Sequence, residues 1–148
     1  MAKLPKLDGL YRIIDANINR LKEGLRVCEE ITRFVLDSKI LTAELKKIRH
    51  QIDPLAALLR KNPEMLAQRN SLKDVGLKIY SRTELKRRDL ADVFAANIQR
   101  AKESIRVLEE FSKLEDVNTA LGFRKIRYAI YEFEKKVAKR IPSLRSTK

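Results

Sequence analysis

The chain has 148 residues, 44% of them apolar, which is enough for one domain with one core. Lysine and arginine number 33 against 20 acidic residues, a formal net charge of +13. That suits a polyanionic partner, whether nucleic acid, an acidic membrane surface or a phosphorylated small molecule. No apolar run approaches the roughly 18–20 residues of a membrane span, no signal-peptide core opens the chain, and the single cysteine, Cys28, excludes an internal disulfide. A cytoplasmic protein without a membrane partner is expected.

Four glycines and four prolines punctuate a sequence dominated by Ala, Leu, Glu, Lys and Arg, so long helices with short connections are predicted and strand signals are nearly absent. The first helix is expected from Asp8, as N-cap, to about Val35. Leu10, Ile14, Ile18, Leu21, Leu25 and Cys28 recur at spacings of three and four along it and trace one apolar stripe. The second follows Asp37 and Ser38 and meets Pro54, expected to bend it or to start a new segment. Asn62 and Pro63 read as cap and first residue of a short helix to about Arg69. From Asn70 to Arg82 periodicity fails, and Gly76 is a candidate there for positive φ. A long helix is then expected from Thr83 or Asp89 to Lys113, and Asp116 can cap a last helix ending near Ile141 and Pro142.

The run from Ala16 to Glu30, ANINRLKEGLRVCEE, returns eighty positions later, from Ala96 to Glu110, as ANIQRAKESIRVLEE. Ten of the fifteen positions are identical, and most of these are polar. Each copy is followed by a second helical pattern that shares Lys-Ile-Arg, at Lys47, Ile48, Arg49 and at Lys125, Ile126, Arg127. Two units this far apart do not make a solenoid. They predict an all-α bundle of two duplicated long-helix hairpins packed around a pseudo-two-fold axis. The expected organisation is a single helical domain, 1–148, with repeat one at about 8–60, a short helix and loop at 62–82, repeat two at about 83–141 and a basic tail at 142–148.

At 100° per residue Asn17 falls within the apolar sector of the first helix, and Arg20, Glu23 and Arg26 spiral out of it in steps of about 60°. A buried asparagine needs partners, since an unsatisfied amide costs roughly 1–3 kcal/mol. One reading is purely structural: Asn17 pairs with Asn97 across the axis, while Glu23, Arg26 and Glu30 form ion pairs worth about 0.2–0.5 kcal/mol each on their own helix. The other is functional, because two copies have little reason to keep weak surface pairs while their core diverges from Leu21 to Ala101 and from Cys28 to Leu108. It places Arg20, Arg26, Arg49, Arg100, Arg106 and Arg127 around one pocket, where guanidinium forks hold phosphate oxygens. Asp15, Glu23 and Glu103 are candidate Mg²⁺ ligands, since that ion takes one or two carboxylates plus substrate phosphates. Asp15 becomes Ala95 in the second copy, and this asymmetry makes it the leading metal or catalytic candidate, alongside Arg26 and Arg106. His50, the only histidine, becomes Tyr128, and reads first as a packed or half-exposed side chain and second as a substrate contact. No Walker GxxxxGK[ST] and no GxGxxG is present, so side chains would have to grip any nucleotide. Cys28 reads as core volume.

Across YRIIDANINRLKEGLRVCEEITRFVLD, ELKKIRH, the DVG of Asp74 to Gly76 and ANIQRAKESIRVLEEFSK, the chain resembles the helical domain at the N-terminus of some bacterial thiamine phosphate synthases, an alternative hydroxymethylpyrimidine phosphate kinase. The resemblance runs from about Tyr11 to Lys136. It implies that ATP, with Mg²⁺, phosphorylates hydroxymethylpyrimidine phosphate to the diphosphate in thiamine biosynthesis. By position the family pattern covers Asp15, Asn17, Arg20, Glu23, Gly24, Arg26, Glu29, Arg49, His50, Asp74, Gly76, Asn97, Arg100, Glu103, Arg106, Glu109 and Glu110. Of these, Asn17, Arg20, Arg49, His50, Asp74, Gly76, Asn97 and Arg100, together with Arg127, are the expected substrate and phosphate contacts. Leu77 departs from the pattern, where a threonine is expected. In fused members an eight-stranded barrel of roughly 200 residues follows. This sequence ends at Lys148, so thiamine phosphate synthase chemistry is not expected of it. Two other readings stand beside the kinase: a noncatalytic pyrimidine-phosphate-binding subunit of a separate synthase barrel, and a basic nucleic-acid binder. Four Tyr, five Phe and no Trp argue against single-strand stacking. Oligomeric state stays open.

Overall fold

The computed structural model describes residues 7–60 and 69–146, except for the side chains of Leu7, Asp8 and Thr83. Among them are four α-helices and no strand: α1 (Leu7–Glu30), α2 (Lys39–Leu59), α3 (Leu90–Ser112) and α4 (Val117–Ala138). An all-α bundle is what the periodicity predicts. None of these helices is long and apolar enough to cross a membrane. The short helix expected from Pro63 lies outside the described residues, as does the side chain of the proposed cap Asp8.

All four neighbouring pairs in the bundle run antiparallel. Gly24 of α1 faces Asn97 and Ala101 of α3, while Cys28 reaches Phe94, so one helix descends as the other rises. Glu29–Arg49 and Lys22–Asp53 set the same sense for α1 and α2, Glu109–Arg127 and Lys102–Glu134 for α3 and α4, and Gly122–Leu55 and Glu44–Lys136 for α2 and α4. The core between them holds Ile14, Ile18, Leu21, Leu25 and Cys28 from α1, Leu45, Ile48 and Ile52 from α2, Ile98, Ile105 and Leu108 from α3, and Phe123, Ile130 and Phe133 from α4. Each such side chain contributes about 1.5–3 kcal/mol by leaving water. Gly24 is required at its crossing: a Cβ there would sit 2.9 Å from the Asn97 carbonyl oxygen.

The helix ends follow local chemistry. Ser38, Asp89 and Asp116 take extended backbone angles, and their side chains accept the amides of Leu41, Asp92 and Asn118, as N-caps do. Asp89, not Thr83, therefore starts α3, and a separate 3₁₀ turn spans Arg82–Leu85. Pro54 does not start a new segment: α2 continues through it to Leu59. Its missing N–H orphans only the His50 carbonyl, and both residues lie on the exposed face, where water can replace the bond. No described glycine has positive φ, so Gly76 does not use that freedom; the left-handed residue is Asp37, with φ 49°. Part of the basic tail is packed. Leu144 is buried, Arg145 lies 3.7 Å from Asp89 and 3.1 Å from Asp92, and the Ser146 amide donates to Asp89, closing the C-terminal segment over the start of α3.

The two copies share one burial pattern over part of their length. The buried, intermediate and exposed positions of residues 21–30 recur in the same order at 101–110. The hairpin connections differ by two residues, and the difference is absorbed by a π-helical turn at Ile31–Val35 that the second copy lacks. Both connections close on equivalent atoms nonetheless: the Ser38 amide donates to the Thr32 carbonyl and the Asp116 amide to that of Ser112.

Candidate functional site

The repeated arginines and glutamates build two ion-pair clusters. In the first, buried Glu29 accepts from Arg26 at 2.8 Å and from Arg49 Nη2 at 3.0 and 2.9 Å. In the second, buried Glu109 accepts from Arg106 at 3.3 Å and from the Nε and Nη2 fork of Arg127 at 2.7 and 3.3 Å. Arg127 also reaches the Tyr131 hydroxyl at 3.2 Å and lies 5.0 Å from the Tyr128 ring centre. Burial opposes the charge on Glu109, but Arg127 and then Arg106 outweigh it and hold the carboxyl below its usual range, while Glu109 and Tyr131 raise Arg127 further. Arg26 and Arg106 also pair with Glu30 and Glu110 one turn on, at 3.6 and 3.1 Å.

Those clusters engage four of the six arginines expected around one pocket, and the described residues do not gather the six. The asparagines do not pair across the bundle either. Each amide donates at 2.8 Å to its own helix, Asn17 to the Ile13 carbonyl and Asn97 to that of Val93. The antiparallel register is the reason: Asn97 sits beside Gly24, seven residues beyond Asn17 and about 10 Å along the axis. Asn17 is buried, as its angle on the helix requires.

The structure does bring Asp15, Asn17, Arg20 and Asp74 together, in a cleft of about 430 Å³ between the N-terminal half of α1 and the chain from Arg69 to Asp74. Arg12, Ala16, Asn19, Arg69, Asn70 and Ser71 also line it. Buried Asp15 holds Arg69 in a fork, both bonds 2.7 Å, with Arg60 3.5 Å away. That contact raises the Arg69 pKa, through the hydrogen bonds first and the charge of Asp15 second. The fork uses Nε and Nη2, and Nη1 makes no hydrogen bond among the described residues. Asp74 accepts the Gly76 amide on Oδ1 at 2.8 Å, folding the loop tip back on itself.

The other candidates lie elsewhere. Glu103 and Arg106 share a shallower hollow with Gln99, Lys102 and Tyr131. Glu23, Arg100 and His50 are exposed on their helices. Asp15, Glu23 and Glu103 are thus not assembled as a metal centre, and no cluster of three or more His, Cys, Asp or Glu suited to a metal occurs among the described residues. A phosphate-borne Mg²⁺ needs less, one or two carboxylates. Within the cleft Asp15 is committed to Arg69, whereas Asp74 has a second oxygen without a hydrogen bond among the described residues and fits that role. Cys28 is core, as expected; burial first and the charge of Glu134 second push its thiol up to about 12. Sequence reasoning missed Arg12, Arg69 and the hub role of Glu29 and Glu109.

The model of the ThiD2 family matches residues 12–136. The chain belongs to the ThiD2 family. Its curated relatives include thiamine-phosphate synthases from Nostoc punctiforme, 38% identical over 125 residues, Synechocystis, 37% over 126, and Rhodopirellula baltica, 40% over 134. These alignments cover 84%, 85% and 87% of this chain but 34%, 35% and 35% of the relatives, so the ThiD2 segment spans about a third of the proteins it resembles. No solved structure matches.

Proposed function

We propose that this ThiD2 protein acts in thiamine biosynthesis and transfers a phosphoryl group from ATP to hydroxymethylpyrimidine phosphate, with the Asp15 cleft as the acceptor site. The observation that carries the reading is the cleft itself, which presents Arg12, Arg20 and Arg69 to a ligand within the segment that the family model matches. Its chemistry suits the reaction. The nucleophile is an oxygen of a phosphate monoester whose second pKa is near 6, so most of it is deprotonated at neutral pH without a strong general base. What remains is to hold two polyanions close and stabilise the charge that moves between them. Arg20 and Arg69 grip the acceptor phosphate, and Asp15 acts by orienting Arg69 through its two-point contact. Asp74 would hold a Mg²⁺ carried on the ATP phosphates, and that ion would supply charge neutralisation.

The test is ADP release from ATP by the purified chain with Mg²⁺ and the pyrimidine monophosphate. Arg69→Ala and Asp15→Asn are expected to lower kcat/KM by about 10–1000-fold, equivalent to roughly 1.4–4 kcal/mol, while the far-UV spectrum stays native. Wild-type protein that neither turns over nor binds nucleotide under those conditions overturns the reading. A second reading, a noncatalytic pyrimidine-phosphate carrier for a synthase, is favoured by one observation, the relatives' extra two thirds of sequence. Co-purification with a thiamine-phosphate synthase and no ATP turnover would select it.

A further inference from the structure

The internal repeat gives the acceptor cleft a counterpart. Ala16 and Ala96 occupy equivalent positions, and where Ala16 lines the first cleft, Ala96 and Ala95 line a second, of about 570 Å³, whose other walls are Arg82, Lys86, Arg87, Arg88 and Asp92. The charges differ sharply. The first cleft sets three cationic side chains against two carboxylates, Asp15 and Asp74; the second sets four against one. The excess comes from Arg82 and from Lys86, Arg87 and Arg88, which lie ahead of the repeated run, while two substitutions between the copies act in opposite directions. Asp15 becomes Ala95, which removes a carboxylate from the floor, and Arg12 becomes Asp92, which is committed to Arg88 at 2.8 Å and to Arg145 at 3.1 Å. Arg82 and Lys86 have no carboxylate in any ion pair among the described residues, and the Arg87 guanidinium donates to the backbone carbonyls of Glu84 and Lys86, which bends it back along the 3₁₀ turn.

We propose that this second cleft binds a di- or triphosphate group, distinct from the acceptor site. Cationic groups lining a small, methyl-floored cleft favour a ligand with several adjacent phosphates over one with a single phosphate, because Arg82 and Lys86 can each meet a phosphate charge without displacing a carboxylate. The site is not the donor half of the first cleft in the same chain. The antiparallel register of α1 and α3 separates Ala16 from Ala96 by about ten residues, roughly 15 Å along the axis, against the ~3–3.5 Å that reacting atoms require. It stands whether or not the kinase reading holds.

The test is titration calorimetry of the whole chain at fixed ionic strength with pyrophosphate, ATP and AMP. Pyrophosphate and ATP are expected to bind, with AMP weaker by roughly tenfold or more. In an Arg69→Ala background, which disables the first cleft, one pyrophosphate site should remain, and adding Arg82→Ala with Lys86→Ala should weaken it by about tenfold or more. In the wild-type background the same pair should remove one site and leave turnover unchanged. All these side chains are exposed, and far-UV spectra check that the variants fold. Binding of ATP without pyrophosphate would mean that a base, not a phosphate chain, is recognised, and would overturn the proposal. So would unchanged binding in the double variant, or an equal loss in a control such as Lys125→Ala, which would mark diffuse attraction to a basic protein.

Discussion

Replacing Arg127 with leucine breaks the most buried ion pair among the described residues. Glu109 is 2% exposed and would keep only Arg106, a side chain 53% exposed to water. Removing one partner of a buried pair leaves an uncompensated charge and costs about 3–5 kcal/mol, a large share of the roughly 5–15 kcal/mol that holds a domain together. At about 2–4 °C per kcal/mol for a chain of this size, Tm should fall by roughly 6–20 °C. Urea and thermal unfolding followed by circular dichroism measure it, and Glu109→Gln in the same chain should restore most of the loss. The pH dependence gives a second readout. The native state holds Glu109 below its ordinary value of 4.5, so unfolding takes up a proton in acid, and this contribution is complete above about 4.5 and disappears as pH falls through the lower native value. Arg127→Leu should flatten that acid limb. A variant within about 1 kcal/mol of wild type, the worth of a surface pair, would refute the reasoning by showing that Glu109 finds water or another cation.

Gly24→Ala should destabilise by about 1–3 kcal/mol in urea unfolding, because its Cβ meets backbone, the Asn97 carbonyl at 2.9 Å, and backbone cannot rotate away. Ser112→Ala should be neutral or stabilising by up to about 1 kcal/mol in the same assay. The Ser112 hydroxyl is buried without a hydrogen bond among the described residues, whereas its counterpart Thr32 meets Thr42 at 3.0 Å and the residue matching Thr42 is Ala120.

Helix existence, capping by Asp116 and the burial of Asn17 were legible because each is a local signal or a spacing along one helix. Glu29 was legible in principle: at 100° per residue it falls between Ile18 and Lys22, on the sector that faces α2, where a carboxylate demands a cation. Arg69 was not. Its bond to Asp15 joins positions 54 apart, and no periodicity encodes which side chain a returning loop delivers to a helix. The expectation of one arginine-lined pocket failed for a related reason. Repeated residues fix what each copy contains, while register decides which of them meet, and the offset of α1 against α3 keeps Asn17 from Asn97 and leaves Arg26 and Arg106 with their own glutamates.

The wide turn at Ile31–Val35 has an evolutionary reading. Two extra residues inside a regular helix would swing every later side chain by about 200° and turn its apolar face to solvent. Here the surplus is confined to one bulged coil just before the chain reverses, so Ser38 enters α2 with the same phase with which Asp116 enters α4. Hairpin ends are thus where this architecture tolerates length drift, and the two halves were free to gain or lose residues there without renegotiating the packing between them.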